Sequence, residues 1–143
     1  MSGSFADTNI LIYLASGDAR KAARAESVLA TGCTISVQVL NEFTHVARRK
    51  MAFTWDEVRD FLATVRAVAK VTPLTIETHD EGLRIAERYR LSVYDGMIVA
   101  AALRARCQTL WSEDMQDGLV VDGRLTIRNP FAPEGDHGSE AGV

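Results

Sequence analysis

The sequence predicts an α/β fold, with helices layered on a mostly parallel sheet. Two observations point to it. Short β-prone runs alternate with pairs of segments whose apolar residues recur at helical spacing, in the order strand, two helices, strand, two helices, strand, two helices, strand. Helical crossovers of that kind join parallel strands. Length is the other: 143 residues, 47% of them hydrophobic, suffice for one well-buried core and are short for two. No repeat or linker divides the chain, so residues 1–133 are expected to form a single domain.

The first run, Ser2–Asp7, is small and apolar and reads as a buried strand that ends on an acid. Ile10, Leu11 and Leu14 then recur at helical spacing until Gly17 breaks the pattern. Asp18 caps a second helix reaching about Leu29. "CTISV" (Cys33–Val37) is the second strand, and Ser36 is a good N-cap for a helix from Val37 to about Lys50. Thr54 caps the next, Trp55 to about Val68, with Trp55, Val58, Phe61, Leu62 and Val65 on one face. "KVTPLT" is a third strand, which Pro73 places near a sheet edge or at its own end. Ile76–Tyr89 follows as a helix with Leu83, Ile85 and Ala86 turned inward. Ser92 or Tyr94 begins a helix that is apolar nearly all round from Met97 to Leu103, and so is buried on more than one side. Gln108–Asp114 is a fourth strand ending in acids, and Asp122-Gly123 between two β-prone runs signals a hairpin or tight turn. After Pro133 almost nothing can be buried, and residues 134–143 are expected to be a disordered tail.

A formal charge of -3 excludes a bulk nucleic-acid magnet. Any RNA or DNA must be handled locally, or with cations offsetting the acids. Cys33 and Cys107 are too few and too far apart for a disulfide framework, and two buried free thiols fit a reducing cytoplasm. No secretory leader or membrane-spanning apolar run is expected.

Ligands of open parallel sheets gather outside the carboxyl ends of the strands, and acids concentrate there. Asp7 closes the first strand, and Ser112-Glu113-Asp114 closes the fourth. Asp95 lies in the first turn of an otherwise apolar helix. Glu42 falls roughly 90° from the centre of the arc shared by Val39, Phe43, Val46 and Ala47, on the flank of a buried face. It needs a partner, and no basic residue lies one turn away; His45, at i+3, is the nearest candidate. Taken singly, Asp7 and Asp95 are ordinary helix-terminus acids worth about 0.3–1 kcal/mol each. Taken together, four carboxylates converging on one end of a sheet repel one another and resist ionising. A divalent cation resolves that, and oxygen donors suit Mg²⁺ or Mn²⁺. Such a site polarises phosphoryl groups and activates water, which points to phosphodiester chemistry.

The stretches "FADTNILIYL", "SVQVLNEF", "LSVYDGMIVAAAL" and "LWSEDMQDG" together resemble the PIN domain, and more narrowly the VapC-type toxins of toxin–antitoxin pairs, from about Ser4 to Phe131. The resemblance implies a PIN-like three-layer α/β/α domain with a central, mostly parallel sheet of four to five strands. It implies a Mg²⁺-dependent ribonuclease, with Mn²⁺ as substitute, in which Asp7, Glu42, Asp95 and Asp114 are the catalytic and metal-holding acids. Asp7 and Asp95 then hold the principal metal, and Glu42 and Asp114 complete its shell or a second one. Asn9 and Ser112 match supporting positions of the first and last motifs, and Asp117 is held in reserve for Asp114. Alternation along the strand would separate Glu113 from Asp114. The implied partners are RNA, such as tRNA or another structured RNA, a cognate VapB-like antitoxin and a second copy of the chain. Hydrolysis by a metal-activated water leaves a 5′-phosphate and a 3′-hydroxyl.

Other features have plainer readings. "ARRK" (Ala47–Lys50) ends a helix where cations are expected, and holding RNA phosphates is its secondary reading. His45, His79 and His137 read as surface, boundary or tail residues, and Trp55 and Trp111 as core or edge aromatics. A non-catalytic metal- or RNA-binding module is the main alternative. Phosphatase and receiver chemistries are disfavoured, because Asn9 stands where the first needs a second Asp and the second needs an adjacent acidic pair.

Overall fold

The computed structural model describes residues 3–132; the expected tail, and His137 within it, lie outside them. In chain order the elements are β1 (Ser4–Ala6), α1 (Thr8–Leu14), α2 (Ala19–Ala30), β2 (Thr34–Ser36), α3 (Val37–Lys50), α4 (Trp55–Val68), β3 (Lys70–Thr72), α5 (Ile76–Tyr89), α6 (Val93–Arg104), β4 (Thr109–Trp111), β5 (Val120–Val121) and β6 (Leu125–Arg128). The helix starts follow side-chain caps. Ser36, Thr54, Thr75 and Ser92 each accept a hydrogen bond from the third helical N–H of α3, α4, α5 and α6.

One sheet runs in the order β3-β2-β1-β4-β6-β5. Every pairing is parallel except β5 with β6. The sheet is the middle layer of an α/β/α sandwich. Successive residues of a strand face opposite ways, yet Phe5 and Ala6 in β1 are both fully buried, as are Ile35 and Ser36 in β2. Both faces of the central strands are therefore covered. β3 is an edge strand, and Pro73 follows it directly.

The sheet has six strands, not four to five. Val120–Val121 and Leu125–Arg128 form the hairpin expected at Asp122-Gly123, where both turn residues take positive φ (52° and 67°). β6 then pairs with β4 and extends the main sheet by two strands.

Residues Gly96 to Leu103 of α6 are all buried, as an all-apolar helix requires. Its contact with α5 is close. A Cβ built on Gly96 would lie 2.5 Å from the Gly82 carbonyl oxygen and 2.9 Å from Ala86 Cβ; one on Gly82 would lie 2.5 Å from Met97 Sδ. Gly82 thus takes the inward position of α5, and Leu83, one residue on, turns outward to 45% exposure instead of inward as expected. Trp55 also lies outside, 54% exposed. It is the first residue of α4, beyond the buried stripe, and the Arg48 guanidinium covers its ring at 4.3 Å from the centroid. Cys33 and Cys107 are free and buried.

Candidate active site

The chain enters the sheet at β1, moves outward to β2 and β3, then returns to the other side of β1 as β4. The reversal between β1 and β4 is where an open α/β sheet leaves a crevice beyond its carboxyl ends. A cleft of about 510 Å³ lies there, and Asp7, Glu42, Asp95 and Asp114 all line it.

Asp7 accepts the most hydrogen bonds of the four. It follows β1, is only 3% exposed and caps α1 by accepting from the Thr8 N–H at 2.7 Å. Its other oxygen, Oδ2, accepts from Ser112 Oγ at 2.7 Å and from Asn9 Nδ2 at 3.3 Å. Burial pushes its carboxyl up to about 7, against the opposing donations of Ser112 and the Thr8 N–H, and the Asp95 and Asp114 charges add to the rise. Asp95 is also pushed up, first by burial and then by the Asp114 and Glu42 carboxylates. The acids therefore act on one another across the cleft.

Glu42 is held by two neutral donors, Thr8 Oγ1 at 2.5 Å and Gln38 Nε2 at 2.7 Å. His45, its nearest candidate partner in sequence, lines the cleft instead. Asn9 ties the first motif to the last: its amide nitrogen reaches Asp7 and, at 3.2 Å, Asp114 Oδ2, while its oxygen accepts from the Glu113 N–H at 3.2 Å. Ser112, fully buried, donates to Asp7 and accepts from the N–H groups of Asp114 and Met115.

The three closely spaced acids of the last motif separate cleanly. β4 ends at Trp111, so Glu113 and Asp114 lie in the turn beyond it and strand alternation does not apply. Asp114 faces the cleft. Glu113 turns away to Lys21 Nζ (2.8 Å) and Tyr13 Oη (2.6 Å). Burial pushes Glu113 up, but Lys21 and Tyr13 outweigh it and hold it below the usual glutamate range. Asp117 stands outside the cleft lining, its carboxylate accepting from the Asn129 N–H at 3.0 Å.

The cleft lining also contains Thr8, Gln38, Asn41, His45 and Tyr94, none of them singled out as site residues in the sequence. Gln38 precedes Glu42 by one helical turn, a readable signal. Thr8 meets Glu42 across 34 positions, which only the fold supplies. Among the described residues, no lysine or arginine lines the cleft. The donor set is thus hard oxygen without a resident counter-charge, which suits Mg²⁺ or Mn²⁺. Among the described residues, however, no three acidic, histidine or cysteine side chains stand close enough to form a ready metal cluster. The carboxylates line an open cleft rather than a closed shell.

The family model described as PIN domain matches residues 4–116. Solved structures share the fold. A toxin–antitoxin complex from Klebsiella pneumoniae aligns at 20% identity and a TM-score of 0.68, covering 91% of this chain and 98% of that one. VapBC2 from Rickettsia felis, bound to a DNA fragment from its promoter, aligns at 16% identity and 0.63, covering 88% and 97%. VapC20 of Mycobacterium tuberculosis, a toxin that cleaves the sarcin-ricin loop, aligns at 22% identity and 0.62, covering 78% and 92%. No curated protein matches the sequence.

Proposed function

The chain belongs to the PIN domain family, and from that premise we propose that it is a divalent-metal-dependent endoribonuclease, the toxin of a toxin–antitoxin pair. The observation that supports this most is the convergence of Asp7, Glu42, Asp95 and Asp114 on one cleft with no lysine or arginine among the described residues of its lining. The proteins with the same fold include a toxin–antitoxin complex, VapBC2 bound to promoter DNA, and a VapC toxin that cleaves the sarcin-ricin loop. In this reading the substrate is structured RNA, the partners are a VapB-like antitoxin and a second copy of the chain, and the compartment is the reducing cytoplasm. Two buried free thiols agree with that compartment. No helix among the described residues is long and apolar enough to cross a membrane.

Asp7, Glu42, Asp95 and Asp114 would hold Mg²⁺ or Mn²⁺. Bound there, the cation supplies Lewis acidity toward water and the phosphate oxygens. The chain's own residues do the positioning. Ser112, the Thr8 N–H and Asn9 fix both oxygens of Asp7. Thr8 and Gln38 fix both oxygens of Glu42, leaving their remaining lone pairs for the cleft. With no cation, burial holds the Asp7 carboxyl up to about 7, so it binds a proton far more readily than an ordinary aspartate. Cation binding must displace that proton, so affinity falls as pH drops.

The test is cleavage of a structured RNA such as tRNA by the purified chain. Cleavage with Mg²⁺ or Mn²⁺, leaving 5′-phosphate and 3′-hydroxyl ends, is expected; chelator, Asp7→Asn and Asp95→Asn should each abolish it. If wild type and both variants behave identically across the metal titration, the proposal fails. The competitor is a non-catalytic metal- or RNA-binding module, and the absence of a ready three-ligand metal cluster among the described residues favours its RNA-binding form. That module would bind without cutting in the same assay.

A further inference from the structure

Four apolar side chains stand exposed around a groove beside the acidic cleft. Leu74 is 40%, Ile76 68%, Val93 48% and Tyr94 65% exposed, and all four line this concavity of about 520 Å³. Single exposed apolar residues are ordinary, but a contiguous set around a concavity marks a binding place. The groove begins at Leu74 and Thr75, just past the carboxyl end of β3. The cleft lies past the ends of β2, β1 and β4, the next strands in the sheet. Tyr94 and Gln38 line both cavities. Cleft and groove therefore form one trough along the carboxyl edge of the sheet.

Tyr94 is the second residue of α6, directly before Asp95. Its backbone is fixed by the Ser92 cap, which accepts from the Asp95 N–H at 3.1 Å, and by the close seating of Gly96 on Gly82. The ring thus stands at a set offset from a cleft carboxylate. Core packing gives no reason for it, since α6 becomes fully buried only from Gly96 onward. Polar groups in the groove are few. Gln38 donates its amide N–H to Glu42 and keeps its carbonyl oxygen for another partner. His79 presents an exposed imidazole. An aromatic face, aliphatic walls and one or two hydrogen-bonding groups are what an unpaired base needs.

Resting on the ribonuclease reading, we infer that this groove is a nucleobase subsite, in which the base beside the scissile phosphate stacks on Tyr94. Ile76 and Val93 supply apolar wall, and Gln38 and His79 face the base edge. The continuity of the trough selects RNA over a second protein copy: a strand whose phosphate lies among the carboxylates carries its neighbouring base past Tyr94.

The test uses an oligoribonucleotide that the chain cleaves, with 2-aminopurine placed at successive positions and bound to the uncut Asp7→Asn protein. Quenching is expected at one position flanking the scissile bond. It should persist when Tyr94→Phe is added and vanish with Tyr94→Ala. In the cleaving protein, Tyr94→Ala should raise KM about tenfold and lower kcat less, with Tyr94→Phe close to wild type. Unchanged quenching and KM in Tyr94→Ala overturn the subsite. So does light scattering showing that Tyr94→Ala converts a dimer to a monomer without moving KM, which assigns the face to a second copy. Cleavage of no RNA by the wild type would instead overturn the ribonuclease reading on which the subsite depends.

Discussion

Without a cation, burial holds the Asp7 carboxyl up to about 7, while in the unfolded chain it titrates near the ordinary aspartate value of about 3.9. The folded state therefore binds more protons between those two values, and stability declines as pH rises from about 4 to about 7. The ionised form at pH 8 costs roughly 3–4 kcal/mol relative to a group that does not titrate. Metal-free Asp7→Asn should thus melt higher than wild type at pH 8 and much the same near pH 4. Saturating Mg²⁺ should shrink or reverse the difference, because only wild type keeps the full carboxylate set. Thermal unfolding at the two pH values checks this; equal melting temperatures at pH 8 would contradict it. The last motif offers a second residue-scale contrast. Asp114→Asn should lower RNA cleavage at least about tenfold, whereas Glu113→Gln should leave cleavage intact and cost no more than about 1 kcal/mol of stability, as a partly exposed ion pair. Parallel cleavage and denaturation measurements separate the two. Asp7, Asp95 and Asp114 were legible as acids at strand ends and a helix start, and Glu42 as an acid on the flank of the apolar face of α3. Thr8 on Glu42 was not legible, because a hydroxyl gives no hint of a partner 34 residues away.

Asp95 owes its position to the fit of α6 on α5. Gly96→Ala would drive a methyl group onto the Gly82 backbone, which cannot yield locally, so α6 must move. A cost of about 1–3 kcal/mol is expected, with loss of cleavage, because the displaced turn carries Asp95. Gly82→Ala meets chiefly the end of the Met97 side chain, which can rotate away, and should cost less. Denaturant midpoints of the two variants check the order; a Gly82→Ala variant less stable than Gly96→Ala would contradict it. The starts of α3 and α4 were readable from their caps Ser36 and Thr54, while the Thr75 and Ser92 caps of α5 and α6 became plain only in the fold. The facing of individual residues was less readable. Leu83 fits the inward stripe by periodicity, but the inward place belongs to Gly82 once α6 seats against it.

At the scale of the molecule, the alternation of strands and helix pairs was enough to predict a parallel layered sheet. Strand order was not, since most strands have three residues and their partners are set by packing rather than by local sequence. The hairpin at Asp122-Gly123 was visible as a turn, while its fusion to β4 was not. That order matters for function, because placing β4 beside β1 brings Ser112 and Asp114 to Asp7. Four acids from distant parts of the chain then share one cleft with no lysine or arginine among its described lining residues. The central claim is that these acids together hold divalent cation. Anomalous scattering from crystals grown with Mn²⁺ tests it most directly. A manganese peak in the cleft, in contact with Asp7 and Asp95 and absent in Asp95→Asn crystals, is the predicted result. A cleft without manganese at saturating concentration, or a peak bound elsewhere on the chain, would contradict the account.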